Sequence, residues 1–334
     1  MLSVSSSPHR HSGENTAFIM QDVLIALVPA ALMSIVYFGW RSALLIGLCT
    51  GTCVLTEYIC RRIMKRKQTI GDFSAAVTGV LLAFNLPPTL NPVFAVLGSV
   101  FAIAVVKQMF GGIGMNFVNP ALAARIFLLI SFPSHMSKWT LPFFYMSGND
   151  SSDVVSTATP LAQMASGKLE TSTLDLFIGL HGGCIGETCT LALLLGGMYL
   201  LLRRVITPHI PLAFIGTVAL IALIAGQNPI EHVLSGGVML GAIFMATDYS
   251  TSPVSLKGRI FYGVGCGLLT VVIRRFGGYP EGVTFAILIM NCCAWFIDQL
   301  TQPRRFGVTR EDVKKQKEAK KAAKKEAKEA AANG

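Results

Sequence analysis

The sequence predicts an all-α polytopic membrane protein, with ten transmembrane helices in two inverted five-helix repeats and the third and eighth helices broken. Three observations predict it. Of 334 residues, 52% are hydrophobic and 14% charged, against roughly 25% charged in an average soluble domain. Several apolar runs reach about 18 residues, enough for a helix to cross a bilayer. Short motifs also recur in the two halves in the same order, the mark of an internal repeat.

The apolar runs fall at 21–39, 42–60, 73–86, 92–110 and 120–132, then at 187–204, 211–226, 230–248, 256–274 and 282–300. They follow one another without a soluble-sized gap, so one integral domain is expected, with repeats at 21–132 and 187–302. Around them lie a leader (1–20), a long interval (133–186) and a basic tail (303–334). The leader is polar and lacks the apolar stretch and cleavage site of a signal peptide. The tail of Ala, Lys and Glu suits a solvated helix with i,i+4 pairs. No aromatic residues interleave with its lysines, so the net charge of +10 points to anionic lipid heads or a partner, not to nucleic acid.

Orientation follows from the cations in short loops. Arg61, Arg62, Lys65, Arg66 and Lys67 follow the second run, Arg203 and Arg204 the sixth, and Lys257 with Arg259 the eighth. All fall on the tail's side. Both termini are therefore expected in the cytoplasm, and 133–186 outside. Arg274 and Arg275 oppose this pattern and need a partner or an interfacial position. Loops as long as 133–186 are functional or disordered, and Trp139, Phe143, Phe144 and Tyr145 argue for a segment lying on the membrane surface.

The repeat rests on paired motifs. Ser74-Ala75-Ala76-Val77 and Ser235-Gly236-Gly237-Val238 each open a short helical piece, and Pro92-Val93 and Pro253-Val254 follow after the same interval. Phe110-Gly111-Gly112 parallels Phe276-Gly277-Gly278. The third and eighth runs break at 85–92 and 246–253, where Pro removes a donor and clashes with the preceding turn. An odd number of spans per half inverts the second copy, as in many transporters and channels. Irregular backbone at that depth needs protein or water around it, so the breaks are expected to line a cavity or cofactor pocket.

Ionisable groups in such runs are costly and default to functional candidates. Asp22, Glu57, Asp72, Glu187, Asp248 and Asp298 stand at run ends, where an interfacial position is the plain reading; Lys107 and Arg125 lie deeper. Between those two runs the loop Gly111–Pro120, whose glycines let backbone approach a ligand and whose Asn116 and Asn119 offer donors and acceptors. It suits a polar ring edge or a phosphate, or else is a tight re-entrant turn. The eight cysteines form no C-x-x-C pair and the six histidines no ligand spacing on a helix, so no metal site is expected. No Gly-x-Ser-x-Gly elbow signals a hydrolase. Cys184 and Cys189 flank a helix start, and either pair on an oxidising side or stay thiols.

One stretch of 133–186 stands out: Asp153-Val154-Val155-Ser156-Thr157-Ala158-Thr159-Pro160-Leu161, rich in hydroxyls, with one acid and a Thr fixed from behind by Pro. By itself it reads as a turn capping a short helix.

That string, D-x-x-S-x-A-T-P-L, and F-G-G-I-G-M-N-F-V-N-P-A-L-A-A-R at 110–125 resemble a family of flavinylated membrane proteins. Its members are the RnfD component of the Rnf complex and the corresponding NqrB component of the sodium-pumping NADH:quinone oxidoreductase. The likeness covers nearly the whole membrane part and leaves the tail aside; in length the chain is closer to the Rnf component. It implies a urea-channel-like fold and FMN joined through its phosphate to Thr159 by a flavin transferase, with Asp153, Ser156 and Ala158 recognised by that enzyme. Thr157 stands where the family often has Gly, which leaves a competing hydroxyl beside Thr159. Some members hold a second, non-covalent flavin, riboflavin; Asn116, Asn119 and Arg125, with the broken segments, are the candidates in this sequence for a pocket that takes it or the FMN.

The resemblance further implies a subunit of a redox-driven translocase in the bacterial cytoplasmic membrane, passing electrons between ferredoxin-side and NAD-side partners and moving Na+ or H+. Its partners would be the other membrane and peripheral subunits, including a second flavinylated subunit and iron–sulfur subunits. The chain holds no complete active site and no catalytic residue of its own. It has no cysteine cluster for iron and sulfur and no dinucleotide fingerprint. The alternative reading is a stand-alone channel or transporter for a small polar solute, with the outer loop as a passive cap.

Overall fold

Asparagine, serine, threonine and proline set most helix starts in this chain. A computed structural model describes residues 15–146, 158–166, 171–277 and 281–301, and these form helices joined by turns, with no strand among the described residues. In order they are α1 (Thr16–Phe38), α2 (Trp40–Ile63), α3 (Ser74–Phe84), α4 (Pro92–Val100, running on as π-helical Phe101–Gln108), α5 (Pro120–Ser131) and α6 (Pro133–Met136). Then follow α7 (Pro160–Ala165), α8 (Thr173–Ile178), α9 (Thr190–Leu202), α10 (His209–Ile224) and α11 (Pro229–Leu234). Last come α12 (Val238–Leu240, running on as π-helical Gly241–Met245), α13 (Leu256–Phe276) and α14 (Val283–Thr301).

Asn91, Asn119, Thr159 and Asn228 each cap a helix with a side-chain oxygen and are followed by Pro at its first position. The capping oxygen takes up a free amide, and Pro gives away a donor that had no partner anyway. Ser172 and Ser255 cap α8 and α13 in the same manner.

Four helices, α1, α2, α13 and α14, are long and apolar enough to cross a membrane; α3, Pro92–Gln108, α5, α9 and α10 are apolar but shorter. The run at 230–248 is not one continuous helix. Ser235 turns extended and Gly236 and Gly237 adopt left-handed φ values of 60° and 63°, so α11 ends and α12 starts afresh. The run at 187–204 also begins later, at Thr190, because the residues before it leave the helix and re-enter the core. There Ile185 and Gly186 donate their amides to the carbonyls of Leu86 and Phe84, each at 3.0 Å, and Ser34 donates its hydroxyl to Ile185 O at 2.6 Å. These bonds satisfy the opened end of α3, as buried backbone requires. A Cβ on Gly186 would collide with the ring of Phe84.

The aromatic part of the long interval is held against the end of α1. Phe143 N donates to Tyr37 O at 2.6 Å, Tyr145 Oη to Val36 O at 2.9 Å, and Tyr37 Oη to Ile178 O at 2.9 Å. Arg274, the cation out of pattern, has its partners: it donates to the carbonyls of His232, Ser235 and Gly236 at 2.8–3.0 Å and so pins the joint between α11 and α12.

Candidate functional site

Thr159 stands at the start of α7 with extended backbone, and its Oγ1 accepts from Ala162 N at 3.3 Å. The residue is buried, and it lines a small pocket with Pro160, Leu161, His181, Glu187, Gly236 and Glu281. Ala158 lines the adjoining cleft of about 460 Å³ with Leu141, Gln163, Leu180 and His181. Burial lowers the His181 imidazole below its usual value; its Nδ1 lies 3.2 Å from Gly182 O. His181 Nε2 and Glu281 Oε1 have no hydrogen-bond partner among the described residues. Asp153, Ser156 and Thr157 lie outside the described residues.

These residues fit an esterified threonine. The capping bond uses Oγ1 as acceptor and leaves the hydroxyl proton free, so an ester oxygen in the same place can still cap α7. The cleft offers apolar walls in Leu141 and Leu180 and a polar edge in His181 and Gln163, the mixture that a flat amphipathic ring needs.

Asn116 and Asn119 come together elsewhere. They line a cavity of about 750 Å³, open to solvent, with Ser74, Thr78, Lys107 and Asp248 as further polar groups and Val77, Leu81, Leu200 and Phe244 among its apolar walls. Asn116 is 7% exposed, and its Oδ1 has no partner among the described residues. Lys107 Nζ donates to Glu57 Oε2 at 2.8 Å and to Ser74 Oγ at 2.6 Å. Asp248 accepts from the hydroxyls of Ser250 and Thr251 at 3.0 and 3.2 Å. An uncharged ring with a polar edge fits these amides and walls, and the orphaned Asn116 oxygen gives it an acceptor.

Arg125 does not line that cavity. Its guanidinium donates to Asn85 Oδ1 at 2.8 Å, Thr284 Oγ1 at 3.0 Å and Cys184 Sγ at 3.4 Å, and it pairs with Glu281. Sequence reading had Asn85 only as the start of the break at 85–92 and passed over Thr284 and Glu281; Glu281 is a lone acid in the gap before the last helix, where no periodicity marks it. Cys184 and Cys189 are both free thiols. The ligand atoms of Cys184, Glu187 and Glu281 lie within 4.8 Å of one another, but Arg125 already bonds two of the three.

Comparison with known proteins adds kinship to this geometry. Residues 3–307 match the NQR2, RnfD, RnfE family. The chain is 50% identical, over 95% of its length and 98% of the relative's, to the D subunit of a Na+-translocating ferredoxin:NAD+ oxidoreductase complex of Acetobacterium woodii. It is 40% identical, over 93% and 97%, to the D subunit of a proton-translocating ferredoxin:NAD+ oxidoreductase complex of Clostridium ljungdahlii. Against the D subunit of an ion-translocating oxidoreductase complex of Escherichia coli the identity is 36%, over 91% and 98%.

Proposed function

We propose a role that proceeds from kinship, for the chain belongs to the NQR2, RnfD, RnfE family: it is a membrane subunit of an ion-translocating ferredoxin:NAD+ oxidoreductase complex. The names of its relatives support this over a stand-alone channel. They differ over the ion, Na+ in one and H+ in the other, so either cation stays in the reading.

In this role FMN is joined by its phosphate to Thr159, after transfer by a flavin transferase that recognises Asp153, Ser156 and Ala158. The observation that carries it is the position of Thr159: a capping hydroxyl between a pocket with unpartnered polar atoms and a cleft with apolar walls. When bound, FMN supplies one- and two-electron transfer, and a covalent tether fixes it without reliance on affinity. Leu141 and Leu180 would flank the ring and keep water from it, and His181 would present a polar edge. The cavity of Asn116 and Asn119 would take a second, non-covalent flavin, riboflavin. Electrons would come and go through partner subunits, a second flavinylated one and iron–sulfur ones among them.

The same role places the chain in the bacterial cytoplasmic membrane with ten spans in inverted repeats, both termini inside and the flavin loop outside. Support comes from the two half-helices: α3 and α12 start 164 positions apart, as do α4 and α13, and each half-helix follows a left-handed residue, Phe73 or Gly237. Their far ends meet at Asn85 and Met245, 3.7 Å apart.

In-gel fluorescence under denaturing conditions tests the tether. Protein co-expressed with the flavin transferase is expected to give a fluorescent band that Thr159→Ala abolishes. A band that survives moves the tether to another hydroxyl, Thr157 first, and a dark wild type removes the flavin from the account.

A further inference from the structure

We propose that His181 is the counter-cation of the flavin tether: with FMN esterified to Thr159, its imidazole takes up a proton from water and donates Nε2–H to the phosphodiester. The proposal rests on the flavin reading and adds to it a residue that holds the linkage. Thr159 and His181 line the same small pocket, and His181 also lines the adjoining cleft. The phosphate is the first group beyond Oγ1, so it, and not the more distant ring, is what Thr159 brings to the pocket.

Charge selects the residue. A phosphodiester stays negative at any pH in which the protein is folded, and an anion taken out of water needs a cation or donors. Glu187 and Glu281 line the pocket as well and would repel it. Among the described residues lining either hollow, His181 alone can carry positive charge. Arg274 reaches the wall at Gly236 O and Arg125 at Glu281, but neither guanidinium borders the pocket.

The imidazole is also placed for it. His181 is 4% exposed, and its Nδ1 lies 3.2 Å from Gly182 O, which can only accept, so Nδ1 carries the hydrogen and Nε2 the bare lone pair. That Nε2 has no partner among the described residues. A second proton there breaks no existing hydrogen bond and gives the phosphodiester a charge-assisted donor. Without the phosphodiester, burial holds His181 below its usual value against the opposing pull of Gly182 O, Glu187 and Asp175. An added anion turns that balance upward, whereas a neutral ring covering the imidazole lowers it further.

Deuterium exchange at the histidine C2–H, followed by mass spectrometry over a pH series, reads the titration midpoint of His181 in the complete complex with its flavin oxidised. Complex made with the flavin transferase is compared with the same sequence made without it. His181 is the only histidine in the tryptic peptide that runs from Leu169 to Arg203, so the reading is its own. The midpoint is expected about one pH unit or more higher in the flavinylated complex. Thr159→Ala complex made with the transferase is expected to match the unflavinylated one. Equal midpoints with and without FMN, a lower one with it, or a Thr159→Ala midpoint as high as that of the flavinylated wild type would overturn the proposal. The Thr159 peptide of the same digest separates the two readings: if it carries FMN, the flavin stands and only the role of His181 falls, and if it carries none, both fall.

Discussion

Lys107 is paired in the interior: Glu57 meets it at 2.8 Å and Ser74 at 2.6 Å, with Thr69 donating a further 2.6 Å bond to the same carboxylate. Removing Glu57 strands Lys107, whereas removing Lys107 leaves Glu57 with Arg61 Nε at 3.7 Å. Glu57→Gln is expected to cost about 3–5 kcal/mol, and Lys107→Met added to it to recover part of the loss, because an unpaired buried charge is worse than none. Thermal unfolding of the solubilised protein reads both, and a single variant as stable as wild type contradicts the pairing. The sequence flagged Glu57 and Lys107 as costly groups but could not join them, since they stand 50 residues apart in the chain. It misplaced Arg125 for a simpler reason. Arg125 lies six residues beyond Asn119, and about 9 Å of helical rise carries it away from the loop that Asn119 caps. The capping reading of Thr159 was legible: it does cap a short helix, with a Pro at the first position.

Helix packing depends on close backbone approach. A Cβ on Gly79 would stand 2.6 Å from the Cα of Thr50 and 2.9 Å from Cys49 O, so α3 meets α2 backbone to backbone. Gly79→Ala is expected to cost about 1–3 kcal/mol by overpacking, seen as a lower unfolding temperature, while Gly216→Ala, with open space around its Cβ, changes little. Equal stability of the two variants would sink this account of the interface. Helix starts were legible because Asn-Pro and Thr-Pro pairs carry their own physics. The break at Ser235–Gly237 was harder to see: hydrophobicity runs on across it, and only two adjacent glycines hint at the left-handed turn. The π-helical turns at Phe101–Gln108 and Gly241–Met245 carry no composition of their own, so periodicity could not announce them.

For the whole molecule, composition alone established the membrane class, while the meeting of distant segments stayed hidden. Arg125 joining Asn85, Cys184, Glu281 and Thr284 is a tertiary fact that no window of residues contains. The proposed orientation is open to direct trial: a cysteine introduced at Gln163, beside the cleft, is expected to react with an impermeant thiol reagent applied to intact cells, and reaction only after permeabilisation would turn the topology over. The central claim is the flavin on Thr159, and one mass measurement reaches it most directly. In protein co-expressed with the flavin transferase, the peptide containing Ser156 to Lys168 is expected to be heavier by FMN less one water, with fragment ions placing the increment on Thr159. An unmodified peptide, or an increment on Thr157, would contradict it.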